Sequence, residues 1–549
     1  MLKLRRWFLF NIIFLTGKHS LQERLHLLCT LIWQESIRYD QYTMHKNWLF
    51  AIGMVFGWTF TAWSQHLPGA SMGNYAGTNA LYHNPAFVAD SRYRVYVNVA
   101  ATQLYTANNH VRYEAPFSFF NLLTNTVSSK YRSSRGVVQF PRSYLGERLN
   151  GNQKYLNGGG DTRLPSVMFN MLKGKLGAAV SLRARYMLNA SGITEDLARL
   201  ISKTTQLKAL QGPVFTNQSG QLHFNGLGEI AFTLGGVVMD NETDFLKVGV
   251  TAKGIIGLYN AHAIIENSSF NVLPDASWEN KRQFININEI NVRYAMTRDE
   301  GLAPSGKPPG IGWGFDIGAV YEYRPDVSKY SYYEKGERKK DFSKNKYLYR
   351  IAVSLTDFGR VHFNNPAYIL QQETHTVNKE FRFDDFQKLD GSEGFFNAIN
   401  NSLDGGPTIA PDFRSVLPAA LQASVDYSVK PNVYVSGLWV QNLVPQNAFG
   451  MKAESTITVT PRYEHKWYEL SVPLSLMNRY RSPAIGLAGR AGPLWIGTDH
   501  LAGLLNIGNP KAFNVYFGIA AGFYHKSPES QNRCWPPQDS WLRRIFSKR

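Results

Sequence analysis

Cysteine is nearly missing from this chain: only Cys29 and Cys534 occur among 549 residues. Two cysteines cannot build a disulfide framework, and no Cys/His spacing of the zinc-binding kind is present. Linkers are missing too, because no Pro/Ser-rich spacer or composition shift interrupts residues 90–525. A chain of this length would ordinarily split into several soluble domains, so one large closed sheet becomes an alternative. Beyond residue 65 no apolar run reaches the roughly 18 residues a membrane-spanning helix needs. No unit recurs at a fixed period, which argues against solenoids and propellers.

Catalytic signatures are equally sparse. Neither a G-x-S-x-G elbow nor an H-E-x-x-H pair occurs. "GLAPSGKP" (Gly301–Pro308) has phosphate-loop spacing, but Pro308 stands where a Ser or Thr must hold the metal. The thirteen histidines are scattered without ligand spacing. The chain therefore reads as non-enzymatic, with no catalytic residues, no metal and no cofactor.

What is present starts with an export signal. From Met44, "MHKNWLFAIGMVFGWTFTAWSQ" has a short polar head, an apolar stretch Trp48–Phe60 and an Ala62-Trp63-Ser64 cleavage site before Gln65. Residues 44–65 are thus a signal peptide. Residues 1–43 are an over-extended start or, alternatively, a genuine extension. The formal charge is +18, and residues 1–65 hold seven Lys/Arg against three Asp/Glu, which leaves +14 for residues 66–549. An exported protein rarely meets nucleic acid, so the expected counterparts are outer-membrane lipid and lipopolysaccharide. The one cationic run, Lys335–Lys346, reads as a solvated loop.

Period-two alternation then recurs along the whole remaining chain. Trp313, Phe315, Ile317, Ala319, Tyr321 and Tyr323 alternate with Gly314, Asp316, Gly318 and Glu322. The same pattern runs through Tyr93–Val99, Tyr347–Thr356, Leu421–Lys430, Thr456–Glu464 and Phe513–Tyr524. Apart from the shorter Tyr93–Val99, these segments of about 9 to 13 residues match a tilted strand crossing a bilayer and exceed the mean soluble strand. Aromatic residues gather at segment ends, as in a membrane interface. The pattern predicts an all-β protein: a transmembrane antiparallel up-and-down β-barrel of about 14 strands over residues 91–525. A soluble sandwich is the competing architecture and would need shorter strands.

Short turns at Leu172–Lys175, Met239–Thr243, Val429–Tyr434 and Tyr463–Trp467 are assigned to a periplasmic end. Long extracellular loops are expected at Asn121–Arg163, Asn189–Asn225, Asn260–Lys281, Tyr323–Lys346 and His362–Ser415. Helices are expected at Ile193–Lys203 and within Phe383–Leu403. Residues 526–549, broken by Pro528, Pro536 and Pro537, form a periplasmic C-terminal tail.

"GNYAGTNALYHNPAFVADSRYRVYVNV" resembles the start of an uncharacterised outer-membrane family of the Bacteroidota, related to the long-chain fatty-acid transporter barrels. The resemblance continues in "GIGWGFDIGAVYEY", "YRIAVSLTDFGRVHF", "LPAALQASVDYSV", "GPLWIGTDHL" and "FNVYFGIAAGF", so it spans the barrel. It implies an outer-membrane location in a Gram-negative cell and a short N-terminal plug. Residues 66–90 are small and polar enough to be that plug, with Asn84, Pro85 and Ala86 as its hinge; a rigid launching turn is the other reading. Asp316, Glu322, Arg350, Asp426, Arg462 and Glu464 are the polar side chains expected to face the lumen. Two function classes stay open. One is a plugged channel for hydrophobic or amphipathic small molecules. The other is an accessory barrel that docks protein partners in an outer-membrane secretion or assembly machine.

Overall fold

The computed structural model describes residues 67–525, apart from 204–206, 275–282, 299–306, 335, 383–390 and 446–447. The expected signal peptide at 44–65, residues 1–43, most of the Gly301–Pro308 segment and the expected C-terminal tail at 526–549 lie outside the described residues.

Fourteen strands close on themselves. Strand β1 is Tyr93–Asn108, β2 is Lys154–Arg163 continued by Ser166–Met171, and β3 is Leu176–Ile193. Next come β4 (Val214–Asp240), β5 (Asp244–Pro274), β6 (Gly310–Tyr323) and β7 (Tyr349–Phe363). Strand β8 joins Phe413–Val416 to Ala420–Lys430, followed by β9 (Val433–Asn442) and β10 (Thr456–Glu464). Strand β11 joins Tyr468–Ser471 to Leu474–Leu476, and β12 joins Ser482–Ile485 to Leu487–Ala491. Strands β13 (Leu494–Thr498) and β14 (Ala512–Tyr524) complete the wall, and β14 pairs antiparallel with β1 from Tyr93↔Tyr524 to Ala107↔Ala512. The breaks in β2, β8 and β11 fall at Pro165, Pro418 and Pro473, where a ladder N–H is missing.

Alternation decides the two faces. Along β6, Ile311, Trp313, Phe315 and Ile317 are exposed outward while Asp316 and Glu322 are buried inward. Along β5, Val248, Val250 and Ile256 face out and Lys247, Thr251 and Lys253 face in. An apolar outer belt around a polar interior is the arrangement of a barrel in lipid. Strand β1 departs from the expected phase. Register shifts at Tyr93/Val95 and Asn98/Ala100 turn Tyr93 inward, against Tyr96 and Tyr524, although simple alternation puts it with Val95 and Val97. Each bulge inserts one residue and so flips the face of every residue beyond it.

The proximal end carries both barrel termini and the short turns; the distal end carries the larger connections. One expectation is overturned at the proximal end. The connection 324–348 lies there, because Tyr323 pairs with Asp244 at the bottom of β5. Two strands lie outside the barrel wall, and the first of them accounts for the error. Gln283–Thr297 and Ile369–Phe381 pair with each other, and the former pairs with Ala261–Pro274 of β5, all beyond the barrel rim. They add a distal platform without returning to the proximal end, so the next wall strand, β6, runs from the distal end down to the proximal one, while the turns at Val429–Tyr434 and Tyr463–Trp467 stay proximal as expected. Much of 189–225 and 260–281 is therefore strand rather than loop. Helices Glu195–Lys203 and Gly391–Ser402 pack on this platform through Leu200 and Phe396.

Candidate functional site: the plugged lumen

The segment before β1 lies inside the barrel. It folds as a short helix (Pro68–Ser71) and two 3-10 turns, Gly77–Tyr82 and Pro85–Val88. Leu67, Asn79, His83, Asn84, Ala86 and Val88 are each at most 3% exposed, so the segment is enclosed on all sides. Asn84 takes an extended backbone, and its side-chain oxygen accepts the Ala86 N–H at 2.9 Å. Pro85 then starts the turn with φ already set. The Asn84 Nδ2 donates to two wall carbonyls, Ala319 O at 3.1 Å and Val353 O at 2.9 Å. Asn84, Pro85 and Ala86 thus sit against β5–β7 within the lumen, one turn before β1 begins.

The wall is shaped to receive them. Gly177, Gly235, Gly249 and Gly318 are direct cross-strand partners on β3, β4, β5 and β6. The same rung continues to Asn170 on β2 and to Ser354 and Gln422 on β7 and β8. A Cβ at Gly177 would lie 2.1 Å from Val88 O; one at Gly249 would lie 2.5 Å from the Ala86 nitrogen; one at Gly318 would lie 2.2 Å from Asn84 Oδ1. Only glycine permits so close a backbone approach. Polar residues finish the rung at both ends. Asn170 Nδ2 donates to Val88 O at 2.7 Å, Ser354 Oγ donates to His83 O, and the His83 ring bonds Gln422 Oε1 at 3.0 Å and Ser71 Oγ at 2.5 Å.

Charge clusters surround this seat. The six lumenal candidates all face inward, each at most 7% exposed, but they belong to three groups rather than one. In the first, Asp426 accepts from Arg350 (2.9 Å), Arg462 (2.6 Å) and Tyr347 (2.7 Å). Glu464 pairs with Arg462 at 2.6 Å and accepts both amides of Asn74 from the plug. In the second, Lys253 bridges Asp316 and Asp357 at 2.7 Å each, and Arg185 links Asp357 to Glu229. Beside it, Arg183 pairs with Asp161, and Arg163 donates to Asn79 of the plug at 2.6 Å. Such groups persist in a low-dielectric interior only when paired.

The third group latches the plug at the proximal end. Asp90 pairs with Arg324 at 2.5 Å and Lys346 at 2.6 Å, and Arg324 also holds Glu322 at 2.5 Å. Lys247 reaches the Ala89 carbonyl at 3.0 Å, and Arg92 donates to Ser343 O at 2.8 Å. Burial alone would raise the Asp90 carboxyl, but Lys346, Arg324 and Lys247 outweigh it and hold it well below the ordinary carboxylate range. Burial pulls Lys346 down to about 8 despite Asp90. A cavity of about 60 Å³ lies here between Asn74, Asp90, Lys247 and Lys346. The run 335–346 is therefore not wholly a solvated loop: its last lysine is buried on the plug.

At the distal end the connection after β9 dips into the barrel. Gly450 (φ 129°) bridges to Val416, Phe449 packs edge-on against His223 and His262, and Met451 is fully buried beside Tyr105, Val361 and Phe363. The lumen is thus occupied from both ends. Asp90, Arg324, Lys346, Lys253 and Asp357 carry no sequence signal that singles them out. Nor do the rung glycines, although each is an inward position of an alternating segment. Among the described residues no group of three or more His, Cys, Asp or Glu is placed to hold a metal ion.

An apolar outer belt, a closed antiparallel wall and a lumen filled by the N-terminal segment define a plugged transmembrane β-barrel. Within that class the chain belongs to the family of unknown function DUF5723, whose pattern matches residues 85–499. No curated protein matches the sequence. Solved structures similar to it include a toluene transporter, TbuX, from Ralstonia pickettii (8% identity, 82% of this chain and 94% of that one, TM-score 0.36). A Pseudomonas aeruginosa FadL homologue (11%, 85% and 100%, 0.36) and the Pseudomonas putida toluene transporter TodX (9%, 84% and 96%, 0.34) are comparable. Likeness at this level bears on neither substrate nor mechanism.

Proposed function

We propose that the protein is a non-enzymatic, gated transport barrel of the outer membrane in which the segment 66–90 is the gate. The carrying observation is the glycine rung. Four strands forgo side chains at one level so that Asn84–Val88 can lie on the wall, yet the segment is held by hydrogen bonds and ion pairs that can be released together. A barrel of fourteen strands is too wide for wall side chains alone to close, so a segment seated inside it is what closes the lumen. The proximal end, with both barrel termini, then faces the periplasm.

The solute is amphipathic rather than wholly apolar. The lumen level with the plug is lined by Asp, Glu, Arg and Lys, and burying an apolar molecule among them leaves charges without solvent. A docking role is favoured by one observation, the distal platform, which uses two long strands that barrel closure does not require.

Single-channel recording in planar bilayers separates these readings. Full-length protein should conduct weakly, and deletion of residues 67–90 should open a large steady conductance. In a Cys29→Ser/Cys534→Ser background, Asn84→Cys with Gly318→Cys should close the pore when oxidised and release it when reduced. A plug-deleted barrel that folds but conducts no better than the full chain would sink the gate, and a stoichiometric protein partner on extraction would then favour docking.

A further inference from the structure

The distal mouth holds a cavity of about 680 Å³, within the roughly 300–1,000 Å³ usual for small-ligand sites. The connections and ends of β1–β3 form one side of it, and those of β9–β12 the other. Its lining is strongly cationic. Arg148 comes from the β1–β2 connection, Lys452 from the inward-folded loop, and Arg479 and Arg481 from the β11–β12 turn. Among the described residues no carboxylate lies within ion-pair distance of Arg148 or Arg481, whereas the fifth cation, Lys154, is already paired with Glu195 at 2.5 Å. Glu454 is the one carboxylate in the lining.

The remaining lining is rich in amides. Asn189 is 3% exposed, gives its Nδ2 to Asn157 Oδ1 at 3.1 Å, and keeps an unpartnered Oδ1. A buried acceptor of that kind is costly unless a donor arrives. Asn109, Asn150 and Asn442 add further amide groups around the same space.

The turn that presents Arg479 is strained. Asn478, Arg479 and Tyr480 are three successive non-glycine residues at φ 52°, 54° and 64°. A run of left-handed residues carries a penalty at each Cβ, and it persists only where neighbours over-determine it. They do so here. Glu454 accepts the Asn478 N–H at 2.6 Å, while the Tyr480 hydroxyl donates to Gln441 Oε1 at 2.7 Å and accepts from Trp439 Nε1 at 2.8 Å. The strain holds the Asn478–Arg479 corner at the cavity.

We propose that this distal cavity binds a small, free, hydroxyl-rich anion of sugar-phosphate or sugar-acid chemistry. The cations on opposite sides take the anionic group, and the amides take and give hydrogen bonds to the hydroxyls. A free solute is the occupant, because the lining is drawn from both sides of the barrel, β1–β3 and β9–β12, and its side chains are polar throughout apart from Ala453. The transport reading enters only in naming this mouth extracellular.

The test is isothermal titration of the detergent-solubilised full chain at low salt with glucose 6-phosphate, glucuronate, glucose and inorganic phosphate. The two anionic sugars should bind once per barrel, more tightly than phosphate, with glucose silent and affinity falling as salt rises. Lys452→Gln with Arg479→Gln should weaken binding at least tenfold, and Glu454→Gln should tighten it, a gain that a misfolded barrel cannot show. Silence from both anionic sugars overturns the proposal, as does equal binding of glucose. Phosphate binding as tightly as glucose 6-phosphate overturns the hydroxyl contribution. A plug-deleted barrel that fails to conduct but still binds would end the transport reading and leave this site standing.

Discussion

At the scale of single residues, the glycine rung makes the sharpest claim. Gly249→Ala places a methyl 2.5 Å from the Ala86 nitrogen and Gly318→Ala one 2.2 Å from Asn84 Oδ1. Backbone sits on one side of the first contact, so relief requires the plug to move. Overpacking of this kind costs about 1–3 kcal/mol. Faster hydrogen exchange confined to residues 67–92 is the expected result, with the wall unchanged. Gly437→Ala, which meets nothing within 4 Å, is the matched control and should be silent. The alternation that placed Asp316, Glu322, Arg350, Asp426, Arg462 and Glu464 on the inward face is local, and it was legible. Their grouping was not, because Arg350 meets Asp426 and Asp316 meets Lys253 only through strand register.

At the scale of elements, the proximal latch joins the plug to the connection 324–348. Asp90 is held below its ordinary range, so it binds fewer protons in the latched state than when released. The stabilisation is therefore present above about pH 4, the ordinary carboxylate value, and is lost as pH falls further. Lys346 is lowered to about 8, so the latched state also binds fewer protons between that value and the ordinary lysine range near 10.4. Over that window latching tightens as pH rises. Plug conductance should accordingly rise on acidification below pH 4, and Asp90→Asn should raise it above about pH 4 while removing that acid-induced rise. A pH-independent conductance would show that the latch does not hold the plug. The sequence placed the loop 323–346 at the wrong end because Gln283–Thr297 alternates like a wall strand. Only its pairing partners reveal that it belongs to the distal platform.

At the scale of the whole molecule, the outer belt and the lumen obey opposite rules. Ile317, mid-strand on β6 and half exposed to the outside, should tolerate Val but not Arg. A lipid-facing Arg near the midplane costs about 2–4 kcal/mol. Folding into vesicles, followed by the gel shift between unheated and heated protein, reads this directly. Equal folding of Ile317→Arg and the parent would remove the outer belt from lipid. The in-lumen partner Asp316→Asn should also destabilise, but through Lys253, whose neutralising contact is then only Asp357.

The strand period, the inward and outward faces, and hence a closed barrel of about fourteen strands were all legible in the chain before any fold was known. Those properties come from a two-residue repeat that each segment carries alone. Asn84-Pro85-Ala86 was equally marked as a special turn, because proline chemistry acts on adjacent residues. That this turn lies on a rung of glycines drawn from positions 177 to 318 emerged only from the folded molecule. So did the pairing of the charges, the end that the loop 324–348 occupies, and the position of two long strands outside the wall. Each of these depends on register and closure, which bring together residues a hundred or more positions apart that no local pattern connects.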